Sequence, residues 1–105
     1  MDIGGMMKQA QAMQQKLAAA QAEIEALVLL GAAGDGLVKV TLTGDGVLSR
    51  VDIDESLMVP GEAEMVGDLV AAAHADAKRG LDQRKAELMK AAAGPFAGMP
   101  GMPKF

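Results

Sequence analysis

Side chains able to carry covalent or metal chemistry are scarce in this sequence. Its 105 residues include no Cys and a single His, His74, which excludes a thiolate nucleophile, a disulfide and a His-rich zinc site. Asp52 and Asp54 fall on one face of a predicted strand, but no His, Cys or Ser arrangement accompanies them, and a solvated sheet face explains both carboxylates. The sequence therefore predicts a protein that is not an enzyme and needs no cofactor or small-molecule substrate.

Positively charged side chains, which can bind phosphates, are concentrated toward the two ends of the sequence. Residues 1–22 hold two Lys against one Asp, and residues 77–105 hold six Lys or Arg against two acids. Residues 23–76 hold two Lys or Arg against eleven acids. The net charge of −4 thus conceals a basic, acidic, basic order, and the basic ends favour a polyanionic partner.

Composition excludes several classes of protein. With two Phe and neither Trp nor Tyr, the chain lacks the aromatic platform on which RNA-binding sheets and single-strand binders stack bases. Apolar runs without a charge, such as residues 26–34, are shorter than the roughly 20 residues of a membrane span, and no basic stretch precedes an apolar one at the N-terminus. We expect a soluble cytoplasmic protein with no membrane partner.

The elements that position the basic residues begin with a long helix. Residues 6–27 carry apolar side chains spaced alternately by four and three, and strong helix formers fill most positions between them. This seam predicts helix 1, with Gly4-Gly5 as a flexible lead-in, packed against a second helix, a second subunit or both. Its members are Met6, Ala10, Met13, Leu17, Ala20, Ile24 and Leu27.

The middle of the chain changes to the two-residue period of strands. Residues 37–43 and 47–54 alternate in polarity, which predicts two strands with one buried face each, the second burying Val47, Val51 and Ile53. Gly44-Asp45-Gly46 between them predicts a tight antiparallel hairpin, and residues 28–33 predict a third strand. Neither Gly-Asp-Gly segment has the spacing of a phosphate loop or a calcium loop.

A second helix is predicted after Pro60-Gly61 and extends to about Ala93. Its apolar side chains cluster on one side, with Lys78, Arg79, Lys85 and Lys90 on the other and Arg84 on the apolar side. Such a stripe is equally typical of a solvated face. Residues 1–93 are therefore interpreted as one domain, and residues 94–105, rich in Gly, Pro and Met, as a flexible tail.

The lengths of the elements predict an obligate homodimer. Helix 1 would measure roughly 33 Å and helix 2 roughly 45 Å, against about 23 Å for a seven-residue strand, so the helices overhang the sheet and leave apolar residues in water. A second subunit would cover them, and the predicted interface comprises Met13, Leu17, Ile24, Val38, Val40 and Leu42.

Several segments closely resemble the YbaB/EbfC family of nucleoid-associated proteins, in order along nearly the whole chain. They are Met7-Lys8-Gln9-Ala10-Gln11 with Met13 and Lys16, Gly36-Leu37-Val38-Lys39-Val40, Val51-Asp52-Ile53-Asp54 with Ser56-Leu57, Asp68-Leu69-Val70-Ala71-Ala72-Ala73 with Asp76-Ala77, and Gly98-Met99-Pro100-Gly101. The resemblance implies an α+β subunit of order α-β-β-β-α with a small antiparallel sheet, a tweezer-like homodimer, and double-stranded DNA as the partner in the bacterial cytoplasm and nucleoid. His74, Ala75 and Glu55 depart from the family pattern at positions that affect packing and a turn.

Charge then supplies the mechanism: basic helix arms straddle a duplex, contact phosphates and displace counterions. The resemblance implies consequences for DNA conformation, nucleoid organisation and gene regulation. Phosphate contacts position a protein without specifying sequence. The expected DNA-binding residues are Lys8, Lys16, Lys78, Arg79, Arg84, Lys85 and Lys90.

Two other functions remain open at the level of sequence. Long helices joined through small strands also describe prefoldin-like holdases, whose helix tips hold unfolded chains, and Met-rich ends would suit that role. The acidic middle or the tail could instead make the protein an adaptor for another protein. A holdase would keep its activity at high salt, whereas DNA binding would weaken.

Overall fold

A computed structural model describes residues 2–96, and these form two long helices around a three-stranded sheet. The elements are α1 (Ile3–Glu25), β1 (Val28–Ala33), β2 (Val38–Thr43), β3 (Leu48–Ile53) and α2 (Ala63–Ala93), with single-turn 3-10 helices at Glu55–Leu57 and Gly94–Phe96. The order confirms the predicted α-β-β-β-α arrangement, and the molecule is elongated, measuring 73 × 20 × 16 Å. Residues 97–105, which make up most of the predicted tail, lie outside the described residues.

Helix α1 begins earlier than its sequence predicts. Gly4 and Gly5 are helical and do not form a lead-in, because Asp2 caps the helix: its Oδ1 accepts a hydrogen bond from the Gly5 N–H at 3.1 Å. An aspartate in this position satisfies one of the free N–H groups of the first turn. The cap offsets the low helix propensity of two glycines and adds one turn to the helix.

The sheet has the order β1-β2-β3, and both neighbouring pairs are antiparallel. In the second hairpin Gly46 has a φ of 82° and donates its N–H to the carbonyl of Thr43 at 2.9 Å. Residues 34–36 all adopt positive φ between β1 and β2, including Asp35 at 55°. Both Gly-Asp-Gly segments are therefore turns, as predicted from their composition.

The core lies between one face of the sheet and α2. Val38, Val40 and Leu42 are fully buried on that face, and Ala73 and Ala77 are buried opposite them on α2. The helix approaches closely because β1 has Gly31 at the crossing: a Cβ there would lie 2.6 Å from the Ala77 amide nitrogen.

This packing changes the expectation for a dimer interface. Ile24, Val38, Val40 and Leu42 are all inside the single chain, since α2 and the sheet cover them, and a second subunit cannot reach their side chains. Met13 and Leu17 on α1 are half-buried. Any interface must use other apolar residues for most of its area.

Strand β3 is less covered than its alternation predicts. Val47 and Val51 are exposed and only Ile53 is half-buried, because α2 packs over β1 and β2. A bulge places one extra residue, Ser49, between the Thr41–Arg50 and Leu42–Leu48 pairs. It turns Leu48 toward the side of the sheet that carries α2, where the side chain stays exposed.

Within residues 2–96, no helix is long and apolar enough to cross a membrane, and no group of acidic, His or Cys side chains could hold a metal ion.

Candidate nucleic-acid interface

The two helices leave the sheet together and form an arm. Strand β1 runs opposite to α2, since Gly34 lies beside Leu69, Gly31 beside Ala77 and Leu29 beside Gly80. Helix α1 ends just before β1, and α2 continues past Gly80, so α1 and the second half of α2 project from the same end of the sheet in antiparallel contact. The arm is defined here as residues 3–22 and 83–96, and the body as residues 23–82.

Charge separates along the length of the molecule. The arm carries five Lys or Arg and one acid, Glu87, a net charge of +4. The body carries four Lys or Arg and twelve acids, a net charge of −8. Asp2 caps the far end of α1 and is the acid next to the arm tip. The arm is therefore the part of the molecule whose local field attracts a polyanion.

Ion pairs divide the seven predicted DNA-binding residues into two groups. Arg84 pairs with Glu87 at 2.8 Å, Arg79 with Asp76 at 3.4 Å and Lys78 with Asp82, each within α2. Among the residues that the structure describes, the other four have no ion pair and all lie on the arm: Lys8, Lys16, Lys85 and Lys90.

The three paired residues are weaker candidates than the sequence indicates. Lys78 and Arg79 belong to the body, near its acidic sheet region, and each already faces a carboxylate. Arg84 pairs with the neighbouring Glu87 of its own helix. The signal was present in the sequence, because acids three or four residues away on a helix are within reach of Lys and Arg.

The unpaired lysines differ in exposure. Lys8, Lys16 and Lys90 are exposed, whereas Lys85 is half-buried, because it lies at the edge of the apolar stripe that includes Leu81 and Leu88 and not on the opposite side as predicted. Its aliphatic stem can pack along α1 while the ammonium group reaches water. Each of these ammonium groups can approach a phosphate without first breaking an ion pair.

The arm offers phosphate contact and little else. Lysine ammonium groups bind phosphates as point charges, and the described part of the arm presents no planar guanidinium free of a carboxylate for bidentate contact with a guanine edge. Such an arrangement favours binding that depends on the charge of the backbone and not on base sequence.

Comparisons with known proteins show the family of this chain. The model of the YbaB/EbfC DNA-binding family matches residues 1–96. A nucleoid-associated protein of Phenylobacterium zucineum is 64% identical over 103 residues, which cover 98% of this chain and 96% of that protein. A nucleoid-associated protein of Caulobacter vibrioides is 58% identical over 100 residues, covering 95% and 92%.

Among solved structures, an uncharacterized protein of Helicobacter pylori has the same fold. It superimposes with a TM-score of 0.70 at 20% identity and covers 93% of this chain and 99% of that one. The family match spans both arm helices and the sheet between them. The chain belongs to the YbaB/EbfC DNA-binding family.

Proposed function

We propose that this protein binds double-stranded DNA as a homodimer, through phosphate contacts made by the arms. One observation carries the proposal: all four predicted DNA-binding residues without an ion pair lie on the basic arm, away from an acidic body. Each lysine that neutralises a phosphate releases condensed counterions from the duplex, which supplies affinity in spite of the net charge of −4.

The negative charge of the body restricts DNA contact to the arm. Twelve acids in residues 23–82 repel phosphates, so the duplex meets the arm and stays away from the sheet. The residues expected to contact DNA are Lys8, Lys16, Lys85 and Lys90, with Lys78, Arg79 and Arg84 in lesser roles because each must first give up a carboxylate partner.

A homodimer is supported by the apolar surface left around β3. Leu48 and Val51 are exposed on the side of the sheet that carries α2, and β3 is an edge strand with unpaired backbone groups. A second copy related by a two-fold axis would cover this surface and present two arms to one duplex. The interface thereby moves from the buried β2 residues to Leu48 and Val51.

The relatives from Phenylobacterium and Caulobacter are named nucleoid-associated proteins. By extension we place this protein in the cytoplasm, on the nucleoid. There, a two-armed dimer that grips phosphates would change DNA conformation, contribute to nucleoid organisation and affect gene expression.

Charge reversal on the arm tests the mechanism. The variant Lys16→Glu/Lys90→Glu changes two exposed, unpaired arm lysines, and Lys39→Glu/Lys78→Glu makes the same change in net charge on the body. We expect the arm variant to bind all duplex sequences more weakly, with a salt dependence reduced by about 0.9 in log–log slope for each phosphate that is no longer neutralised. Equal effects of the two variants would remove the arm from the DNA site.

A holdase is the second candidate, and exposed Ile3, Met6 and Met7 near the arm tip favour it. Such a surface would bind unfolded chains through flexible apolar side chains. Suppression of aggregation that persists at high salt, together with absence of duplex binding at low salt, would replace the proposed function with this one.

A further inference from the structure

The apolar seam of α1 is buried near the sheet and exposed toward the arm tip. Ile24 is 2% exposed and Ala20 5%, Leu17 and Met13 are half-buried, and Met6 is 59% exposed. Ile3 continues the seam, since it lies seven residues before Ala10, and is 67% exposed. The seam thus keeps its apolar character over the whole helix but has a packing partner over only part of it.

Helix lengths explain the change. From Ile24 to Ile3, α1 extends about 32 Å from the sheet, while α2 extends only about 18 Å from Leu81 to Ala93. Roughly 14 Å of α1, or about nine residues, therefore projects beyond the end of α2. This uncovered seam consists of Ile3, Met6 and Ala10.

The chain itself continues from this point. Helix α2 ends at Ala93, and the 3-10 turn Gly94–Phe96 follows it. By the helix lengths given above, this end of α2 lies level with the start of the uncovered seam. The nine residues that follow contain the triplet Gly-Met-Pro twice, at residues 98–100 and 101–103, and end in Lys104-Phe105. Apolar side chains consequently recur every third residue, at Met99, Met102 and Phe105.

We propose that residues 97–105 bind along the uncovered seam of α1 in the same chain, with Met99, Met102 and Phe105 against Ile3, Met6 and Ala10. Proline favours an extended helix of three residues per turn without internal hydrogen bonds, and a period of three then puts these apolar side chains on one side. At about 3.1 Å per residue, Met99 to Phe105 spans about 19 Å, which is enough to cover the 14 Å of uncovered seam.

Covalent attachment selects this occupant over a separate molecule. The segment begins where the seam loses α2, so its effective concentration at the seam is on the order of millimolar, as for other short linkers. Methionine is well suited to such a contact, because its unbranched side chain adapts to an irregular apolar surface. This contact within the chain forms whether or not the arm binds DNA.

Disulfide trapping tests the contact directly, because the chain contains no Cys. In the Met6→Cys/Met102→Cys variant we expect an intrachain disulfide to form under mild oxidation at least about tenfold faster than in the control Gln11→Cys/Met102→Cys, which places the first thiol on another side of α1. Equal rates in the two variants, or disulfides that join two chains, would overturn the proposal.

Methyl NMR keeps the test independent of the cysteine substitutions. With methyl-labelled methionine, the full-length variant Met102→Ser/Phe105→Ser is expected to shift the Met6 resonance relative to the natural chain and to leave Met58 and Met65, both in the body, unchanged. A Met6 resonance identical in the two chains would contradict the proposed contact.

Discussion

At the scale of single residues, local pairing decides which charges are available for function. The sequence predicts seven basic residues for the DNA site but does not rank them. The structure ranks them, because three of the seven form ion pairs: Arg79 with Asp76, Lys78 with Asp82, and Arg84 with Glu87. The i,i+3 and i,i+4 spacing on a helix could have supplied this ranking. Lys85 lies at the edge of the apolar stripe of α2 and is half-buried. This burial depends on how α1 packs against α2, which the sequence around Lys85 does not indicate.

Asp54 provides a prediction about pH. Its Oδ1 accepts a hydrogen bond from the Ser56 N–H at 2.9 Å and caps the 3-10 turn Glu55–Leu57. The Ser56 side chain, followed by this N–H, lowers the pKa of Asp54 below its usual 3.8. Because the folded pKa lies below the unfolded value, Asp54 stabilises the fold above about pH 3.8 and loses this effect as the pH falls through the folded pKa.

The pH dependence of unfolding by urea checks this assignment. The difference in free energy of unfolding between the natural chain and Asp54→Ala should be present at pH 6 and shrink toward pH 3. Asp45→Ala, in an exposed turn, serves as the control. A difference for Asp54→Ala that stays constant with pH would show that the carboxylate does not act through this cap.

At the scale of elements, periodicity predicted the helices and strands, while tertiary packing decided which faces are buried. The seam of α1 and the two hairpins follow from spacing and turn residues alone. The exposure of Val51 does not, because it depends on α2 covering two of three strands. The bulge at Ser49 was also not predicted, since an extra residue in one strand becomes visible only when its pairing with the neighbouring strand is known.

Gly31 tests the close crossing of β1 and α2. A Cβ on Gly31 would lie 2.6 Å from the Ala77 amide nitrogen and 2.7 Å from its Cβ, so Gly31→Ala must force the helix away from the sheet. Overpacking of this kind costs about 1–3 kcal/mol, measurable as a lower free energy of unfolding.

Gly67→Ala is the matched control, because a Cβ on Gly67 meets nothing within 4 Å. That substitution should stabilise α2 by about 0.5–1 kcal/mol through helix propensity. If Gly31→Ala were as stable as the natural chain, the described approach of β1 to α2 would be incorrect.

At the scale of the whole molecule, the sequence supports a dimer through the mismatch between helix and strand lengths. The interface predicted from the sequence, however, consists largely of residues that are buried within the single chain. Alternation of apolar and polar residues shows that one face of a strand is apolar, but it does not show which element covers that face. Val38, Val40 and Leu42 face α2 of their own chain, whereas Leu48 and Val51, on the same side of the sheet, stay exposed.

Single charges distinguish two possible interfaces. Val51→Glu, on the side of the sheet that carries α2, is expected to convert the dimer to a monomer in sedimentation velocity at micromolar concentration, because it buries an unpaired carboxylate. Leu30→Glu should leave the dimer intact, since Leu30 lies on the outer face, outside the proposed interface, and its side chain, 76% exposed, loses no packing within the single chain. The opposite pattern would move the interface to the outer face, and a natural chain with the mass of one subunit would exclude the dimer.

The central claim is that the basic arms bind duplex DNA through its phosphates. Fluorescence anisotropy of a labelled duplex of about 30 base pairs, titrated with the natural chain at two salt concentrations, tests it most directly. The arm mechanism predicts binding that weakens steeply with added salt and hardly changes when the base sequence is scrambled. No binding at low salt up to tens of micromolar protein would contradict it, and the separated charge would then be only a solvated surface.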